Sequence, residues 1–545
     1  MPQNYIEKIL RAKVYDVAIE TPLDFARSLS ERLANRVFLK REDLQSVFSF
    51  KLRGAYNKMS MLDGSSRAKG VIAASAGNHA QGVALAAKRL DIKALIVMPT
   101  TAQEIKIKSV KAMGADIILF GDSYSETYAH ALELSAQNGM VFIHPFDDPD
   151  IIAGQGTIAM EILRQHPGDL NAIFVPVGGG GLIAGISVYI KFVRPDIKII
   201  GVEPDDADCL NRALKAKSRV IIEQVGLFAD GVAVKQVGAE PFRLAQSYVD
   251  EVITVNTDEI CAAIKDIFDD TRSIAEPAGA LAIAGLKKYV EREHISGQIL
   301  IAIDSGANVN FDRLRYVAER AQVGEHREIL LAVSIPEAPG SFLEFCKLLG
   351  GRSITEFNYR YFNPAMAQVF VGISSSGLES DRAKVIQLLL QKGFQVTDMT
   401  ANELAKEHSR YMVGGHAPCE LNEIVYSIQF LERPDALLKF LTQLGGRWNI
   451  SLFHYRNHSA AFGKVLMGVQ IDKGERQAFQ QCLDELDFTY QEETQNPAYR
   501  LFSGGKRQGA ISAGCPDLQV VEVGIVLTLR KIRQATSRLL RSPTK

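Results

Sequence analysis

Nowhere do the 545 residues contain a C-x-x-C pair. The six cysteines (Cys209, Cys261, Cys346, Cys419, Cys482 and Cys515) are scattered, which argues against a disulfide framework and suits a reducing compartment. Neither sign of charge is in excess: 62 Lys and Arg stand against 63 Asp and Glu. Nothing therefore points to nucleic acid or a membrane surface as a partner. The start, Met-Pro-Gln-Asn-Tyr-Ile-Glu-Lys, lacks a signal or transit pattern, so a cytoplasmic location is expected. Long apolar runs are missing too. The uncharged window 172–190 contains Pro176 and four consecutive glycines, and reads as a buried strand, a turn and a packed helix.

What is present is an ordinary globular composition, 47% apolar and 23% charged, with length for two to four domains. Up to about residue 323, short apolar runs alternate with longer amphipathic ones. Strands are expected over 70–74, 94–98, 116–120, 140–144, 172–177, 197–202, 251–255 and 298–303. Most are apolar on both faces, as strands covered by helices on both sides would be. The alternation predicts an α/β architecture with a largely parallel sheet, and function at the carboxyl ends of its strands.

Four stretches follow such strand ends or, for the first, the extended run Arg36-Val37-Phe38-Leu39-Lys40. The first is Ser49-Phe50-Lys51-Leu52-Arg53-Gly54-Ala55. Ser49 reads as a helix N-cap, which places Lys51 in the first helical turn, where the helix dipole favours a neutral amine. A neutral lysine amine can bond covalently to a carbonyl carbon. Taken alone, a lysine there reads first as a solvated helix residue. The second stretch, Ser75-Ala76-Gly77-Asn78-His79, is a polar turn opening a helix. Its backbone amides suit an anion such as a carboxylate, although an N-cap with a turn glycine has the same pattern. The third, Gly178-Gly179-Gly180-Gly181-Leu182, lets several N–H groups converge on one phosphate, aided by the helix expected from Leu182. Gly179-x-Gly181-x-x-Ala184 with Glu203 also meets the relaxed dinucleotide fingerprint, so a nicotinamide dehydrogenase is a rival. That rival leaves Lys51 unexplained. The fourth, Asp304-Ser305-Gly306-Ala307-Asn308, by itself reads as a turn.

Together and in this order, the four stretches resemble pyridoxal-phosphate enzymes of the tryptophan-synthase β type (fold type II), and within them the biosynthetic threonine ammonia-lyases. His144-Pro145-Phe146-Asp147-Asp148, Gly154-Gln155-Gly156-Thr157, Gly201-Val202-Glu203-Pro204 and Glu276-Pro277-Ala278-Gly279-Ala280 extend the resemblance. It implies that Lys51 carries pyridoxal phosphate and removes the Cα proton. It implies that Gly178, Gly179, Gly180, Gly181 and Leu182 hold the phosphate, and that Ser305 hydrogen-bonds the ring nitrogen. Ser75, Ala76, Gly77, Asn78 and His79 would take the substrate carboxylate, with Asn78 also touching the ring hydroxyl. A ring nitrogen facing a hydroxyl is a milder electron sink, suited to elimination. Glu276 would support the ring or the substrate, or serve as a helix cap. Some relatives bind a divalent metal after the Gly-Val-Glu-Pro segment, where Cys209 stands here in place of a carboxylate, so no metal is expected. The implied activity is deamination of L-threonine to 2-oxobutanoate and ammonia, the committed step towards isoleucine, with L-serine as a second substrate. A catabolic dehydratase, a serine racemase and a non-catalytic amino-acid sensor are the alternatives.

From residue 325 the texture changes. Glu337-Ala338-Pro339-Gly340-Ser341-Phe342-Leu343-Glu344-Phe345 recurs 95 positions on as Glu432-Arg433-Pro434-Asp435-Ala436-Leu437-Leu438-Lys439-Phe440. Each is followed by Leu-Gly-Gly-Arg, so the region is a duplication. Each copy reads as a ferredoxin-like βαββαβ unit. The copies resemble the ACT-like regulatory domains of threonine ammonia-lyases, at 327–399 and 422–493, after a catalytic region 1–323 and around a connector 400–421. The resemblance implies binding of the end product L-isoleucine, and possible binding of L-valine, with Arg352 on the effector carboxylate and Tyr359 and Tyr455 lining its pocket. Arg360 and Arg456 read equally as interface ion pairs. The resemblance further implies a homotetramer. Residues 505–545 form a basic extension, expected to be disordered.

Overall fold

The computed structural model describes residues 2–499 apart from 101, 103, 350–351, 362–364, 377–378, 408–409, 411–421, 432–435, 445–446, 457–461, 473, 486–488 and 497–498. The basic extension, the two Gly-Gly turns, the Pro434 segment and most of the connector lie outside the described residues. The chain divides into two units, Met1–Arg327 and Glu328–Lys545.

The first unit contains strands β1 (Leu23–Phe25), β2 (Arg36–Arg41), β3 (Val71–Ala74), β4 (Ala94–Met98), β5 (Asp116–Leu119), β6 (Val141–Phe142), β7 (Ala172–Pro176), β8 (Lys198–Pro204), β9 (Glu251–Val255) and β10 (Ile299–Asp304). They form two sheets, ordered β5-β4-β3-β6 and β1-β2-β10-β7-β8-β9. Every pairing is parallel except that of the short β1, which runs antiparallel to β2. Every residue of β3 and of β7 is buried, as expected of strands with both faces covered. The expected strand over 140–144 shrinks to two residues, and β1 was not expected from the sequence because three residues carry no readable period.

One helix contact fixes the site. Helix Lys51–Ser60 crosses helix Pro149–Gln165 with glycine against glycine. A Cβ at Gly154 would lie 2.7 Å from Gly54 Cα and from the Arg53 carbonyl oxygen. Behind this crossing, Arg53 is fully buried between Glu42 (2.8 Å) and Glu161 (2.6 Å), and Lys40 reaches the same Glu161 at 2.6 Å. Paired in this way, the four charges are kept out of water without being orphaned.

The second unit contains β11 (Glu328–Pro336), β12 (Ile354–Arg360), β13 (Met366–Ser374), β14 (Gln395–Asp398), β15 (Glu423–Leu431), β16 (Asn449–Arg456), β17 (Phe462–Gln470) and β18 (Thr489–Glu492). Each half has the ferredoxin-like order, and the halves join edge to edge through antiparallel β12 and β16. The result is one eight-stranded sheet, β14-β11-β13-β12-β16-β17-β15-β18, so neither inner edge is left open. The fold is thus parallel α/β in two sheets followed by antiparallel α+β repeats.

Candidate active site

The adjacent strands β2 and β10 feed two of the predicted stretches. From β2 the chain passes through a short turn to Phe48, which takes a left-handed conformation (φ 54°). Such backbone strain is held by its surroundings: Ala307 N–H donates to the Phe48 carbonyl at 2.9 Å, and Asn308 Nδ2 to that of Val47 at 2.9 Å. Ser49 is not the helix cap that its residue type suggested. It pairs with Gly306 as an isolated antiparallel bridge, and Phe50 occupies the N-cap position without a side-chain cap bond. The backbone demand of the Ser49–Gly306 pairing outweighs the capping preference of serine. Lys51 is still the first residue of its helix. Burial lowers its pKa to about 8, while the Glu276 carboxylate pulls the other way. Desolvation is therefore the leading cause of a readily neutralised amine, where the dipole alone was expected.

The polar turn follows β3, and helix Asn78–Leu90 starts from it. Gly82 in that helix backs directly onto Lys51, its would-be Cβ 3.1 Å from the Lys51 carbonyl. Among the described residues, the N–H groups of Ala76, Asn78 and His79 have no protein acceptor. The His79 side chain does not face a ligand. It is buried, bonded to the Ile143 carbonyl at 2.9 Å, and burial lowers its pKa to about 3, so it is neutral.

The glycine stretch leaves β7 and enters helix Gly181–Val193, one residue before the expected start. Gly180 has φ 91°, which excludes a side chain on steric grounds. A Cβ on Gly179 would fall 2.2 Å from the Phe146 ring. Among the described residues, no protein acceptor takes the N–H groups of 178–182. Five unclaimed donors at a helix start form an anion site.

Three side chains close a ring that motif reading missed. Asn78 Nδ2 donates to Glu276 Oε1 at 2.6 Å, Asn308 N–H donates to Glu276 Oε2 at 3.1 Å, and Asn308 Nδ2 donates to Asn78 Oδ1 at 2.7 Å. Glu276 stands at the N-cap of helix Pro277–Glu293 but makes no cap bond, so the capping alternative fails. Burial, reinforced by the Asp230 carboxylate, raises its pKa to about 7. Ser305 is buried, its hydroxyl 3.4 Å from the Ala278 carbonyl.

Glu203 is taken up elsewhere. It accepts N–H bonds from Leu210 and Asn211, both at 2.8 Å, capping helix Cys209–Ala216, so it is not free for a ribose. Cys209 lies 3.4 Å from the Gly178 carbonyl. Among the described residues, no three His, Cys, Asp or Glu side chains are placed to hold a metal. An open cleft of about 600 Å³ lined by Asp206, Arg212 and Ile221 contains none of the site residues.

In the second unit, Arg352 forms a bidentate pair with Asp381 (2.7 and 2.8 Å). Tyr359 is buried and donates to Glu337; Tyr455 is buried in the same core. Arg360 pairs with Glu423 of the other repeat at 2.6 Å. The Arg456 side chain lies outside the described residues.

These residues fit pyridoxal phosphate: a desolvated lysine amine for its aldehyde, unclaimed N–H groups for its phosphate, and a buried hydroxyl at Ser305. Fold and site together define the pyridoxal-phosphate-dependent enzymes of fold type II. Comparison agrees: the model of the pyridoxal-phosphate dependent enzyme family matches 14–306, and that of the C-terminal regulatory domain of threonine dehydratase matches 319–409 and 415–502. L-threonine dehydratase biosynthetic IlvA of Burkholderia multivorans is 55% identical over 502 residues, 92% of this chain and 99% of that protein. Its Escherichia coli namesake is 53% identical over 503 residues, 92% of this chain and 97% of that protein. The structure of the processed form of threonine deaminase isoform 2 from Solanum lycopersicum superposes with TM-score 0.58 and 52% identity, covering 59% of this chain and 88% of that one. The chain belongs to the biosynthetic threonine dehydratases, and its activity is that of an L-threonine ammonia-lyase.

Proposed function

We propose that the chain deaminates L-threonine to 2-oxobutanoate at the Lys51 site, accepts L-serine as a second substrate, and is inhibited by L-isoleucine bound to its repeats. The observation that carries this reading is the desolvated Lys51 amine in the same unit as two sets of unclaimed backbone donors. Lys51 would hold the cofactor, with Gly178–Leu182 on its phosphate and Ser305 and Asn78 on its ring. Pyridoxal phosphate, when bound, supplies the electron sink for the charge left on Cα. The N–H groups of Ala76, Asn78 and His79 receive the substrate carboxylate. The Lys51 amine, neutral for much of the time near pH 8, takes the Cα proton. Glu276, titrating near neutrality, holds or yields a proton beside it. Serine lacks only the γ-methyl, a difference of about 1–3 kcal/mol in a pocket.

The repeats 327–399 and 422–493 serve as the effector domains, with valine as a second possible ligand. Arg352 is already paired with Asp381, so an effector carboxylate at Arg352 would compete with that pair. Tyr359 and Tyr455 would shift with it. The assembly is a cytoplasmic homotetramer, by analogy with the family.

The test is 2-oxobutanoate formation from L-threonine by the full-length holoenzyme, with and without isoleucine. The parent turns over and is inhibited. Lys51→Ala loses turnover together with the visible absorption of the bound cofactor. Retention of both by Lys51→Ala would falsify the site, and an isoleucine-insensitive parent would remove the effector reading.

A further inference from the structure

Lys106 and Asp230 are 124 positions apart and meet at 2.6 Å. Lys106 belongs to helix Glu104–Ala112, beside the four-stranded sheet. Asp230 opens the short turn Asp230–Val232, which packs on helix Pro277–Glu293 beside the six-stranded sheet. The pair therefore ties the two sheets of the first unit together. Its side chains are 16% and 35% exposed, so it lies at a rim, neither in the core nor free in solvent. Among the described residues Lys106 has no other acceptor, while Asp230 Oδ1 also faces Arg313 at 3.7 Å.

The next residue shows what the pair holds in place. A Cβ on Gly231 would lie 2.9 Å from Ala278 Cβ, 3.4 Å from Glu276 Oε1 and 3.9 Å from Asn78 Nδ2. The turn's backbone is thus laid on the Asn78–Glu276–Asn308 ring. We propose that Lys106 and Asp230 are positioning residues for the threonine reaction, their ion pair pressing the Gly231 turn onto Glu276 and Asn78 and so completing the substrate pocket. This rests on the reading of Asn78 and Glu276 as part of that pocket. The two charges have opposite effects on Glu276: Asp230 raises its proton affinity and Lys106 lowers it. The other titratable groups facing Glu276 are Lys51, on its helix start, and Asp304, at the end of β10.

The experiment is steady-state kinetics of the full-length holoenzyme for Lys106→Met, Asp230→Asn and the double variant. Each single change raises KM for L-threonine about tenfold with kcat within about twofold, because a displaced wall weakens binding more than chemistry. The KM of the double variant resembles that of either single one, since one interaction is lost once. The acid limb of kcat/KM moves down in Asp230→Asn and up in Lys106→Met, a split that loss of packing alone does not produce. Asp230→Glu restores the parent values, which guards against misfolding of the Asn variant. Independent effects that multiply in the double variant, limbs that move the same way, or an unchanged KM overturn the proposal. Asn78→Ala separates the two levels. If it leaves KM and the cofactor spectrum untouched, the pocket reading falls and this one with it; if it damages both while the pair variants are silent, only the pair falls.

Discussion

Among single residues, Asp304 is the least expected. It ends β10 one position before Ser305, is fully buried, and among the described residues neither of its oxygens has a hydrogen-bond partner. Its cross-strand partner Arg41 is 3.9 Å away and spends its N–H groups on Asp43 (2.9 and 2.8 Å), Asp24 and Ser273. Burial first, then the Asp43 carboxylate, hold Asp304 well above the usual aspartate range, with Arg41 opposing. Burial and the Asp43 carboxylate therefore favour the protonated form of Asp304. The unfolded chain loses this proton near pH 4. Above that pH the native state binds the extra proton, so this residue's contribution to stability falls as pH rises. Asp304→Asn keeps an N–H donor towards Asp43 and removes the titration. The variant should be more stable than the parent at pH 8, by about 1–3 kcal/mol, with a flatter pH dependence, read from urea midpoints at pH 6 and pH 8. Equal destabilisation at both values would mean that Asp304 is ionised. The sequence marked Asp304 only as part of a turn. Its state depends on Arg41 and Asp43, more than 260 positions away, and no local pattern reports that. Lys51 was legible because its neighbours form a contiguous motif. The Asn78–Glu276–Asn308 ring was legible only as three separate motifs, and the wrong cap at Ser49 shows a local preference losing to a long-range backbone pairing.

At the scale of elements, glycines decide where the site-bearing helices lie. The strand-helix alternation was readable from apolar periodicity, and β4 and β9 coincide with the expected 94–98 and 251–255. The angle at which helix Lys51–Ser60 meets helix Pro149–Gln165 was not, because it is set by the absence of side chains at Gly54 and Gly154. The Gly154-Gln155-Gly156-Thr157 segment was visible as a motif without a role. Its role is contact: a methyl at 154 would meet backbone at 2.7 Å, which no rotamer change relieves. Gly154→Ala should push the Lys51 helix outward at a cost of about 1–3 kcal/mol. Since Lys51 is the first residue of that helix, cofactor retention should fall as well. Absorbance of the purified variant after dialysis, alongside its melting temperature, checks both. A destabilised variant that retains full cofactor occupancy would show that Lys51 is positioned independently of the crossing.

For the molecule as a whole, the question is how an effector signal arises in a duplicated unit. The duplication was legible because Glu337, Pro339, Leu343 and Phe345 recur at the same spacing as Glu432, Pro434, Leu438 and Phe440, each block running into Leu-Gly-Gly-Arg. Their joining was not, since the β12–β16 pairing belongs to neither copy alone. That joint is charged as well as hydrogen-bonded. Arg360 of the first copy meets Glu423 of the second at 2.6 and 3.1 Å, with side chains 6% and 3% exposed. Glu423 also accepts from Ser451 and Tyr499. A second buried group, Arg410 with Glu356 (3.0 Å) and Glu328 (3.4 Å), braces the first copy beside it. Removing one partner of such a pair leaves a buried charge uncompensated, at about 3–5 kcal/mol. Glu423→Gln should therefore loosen the eight-stranded sheet at its middle and uncouple the two copies. If the effector response depends on the copies acting as one sheet, the variant loses isoleucine inhibition while threonine turnover persists, because Lys51 and its partners belong to the other unit. The measurement is an isoleucine titration of turnover for the parent, Glu423→Gln and Arg360→Gln. An unchanged inhibition curve in both variants would show that each copy answers the effector by itself, and the continuous sheet would then be a device for stability alone.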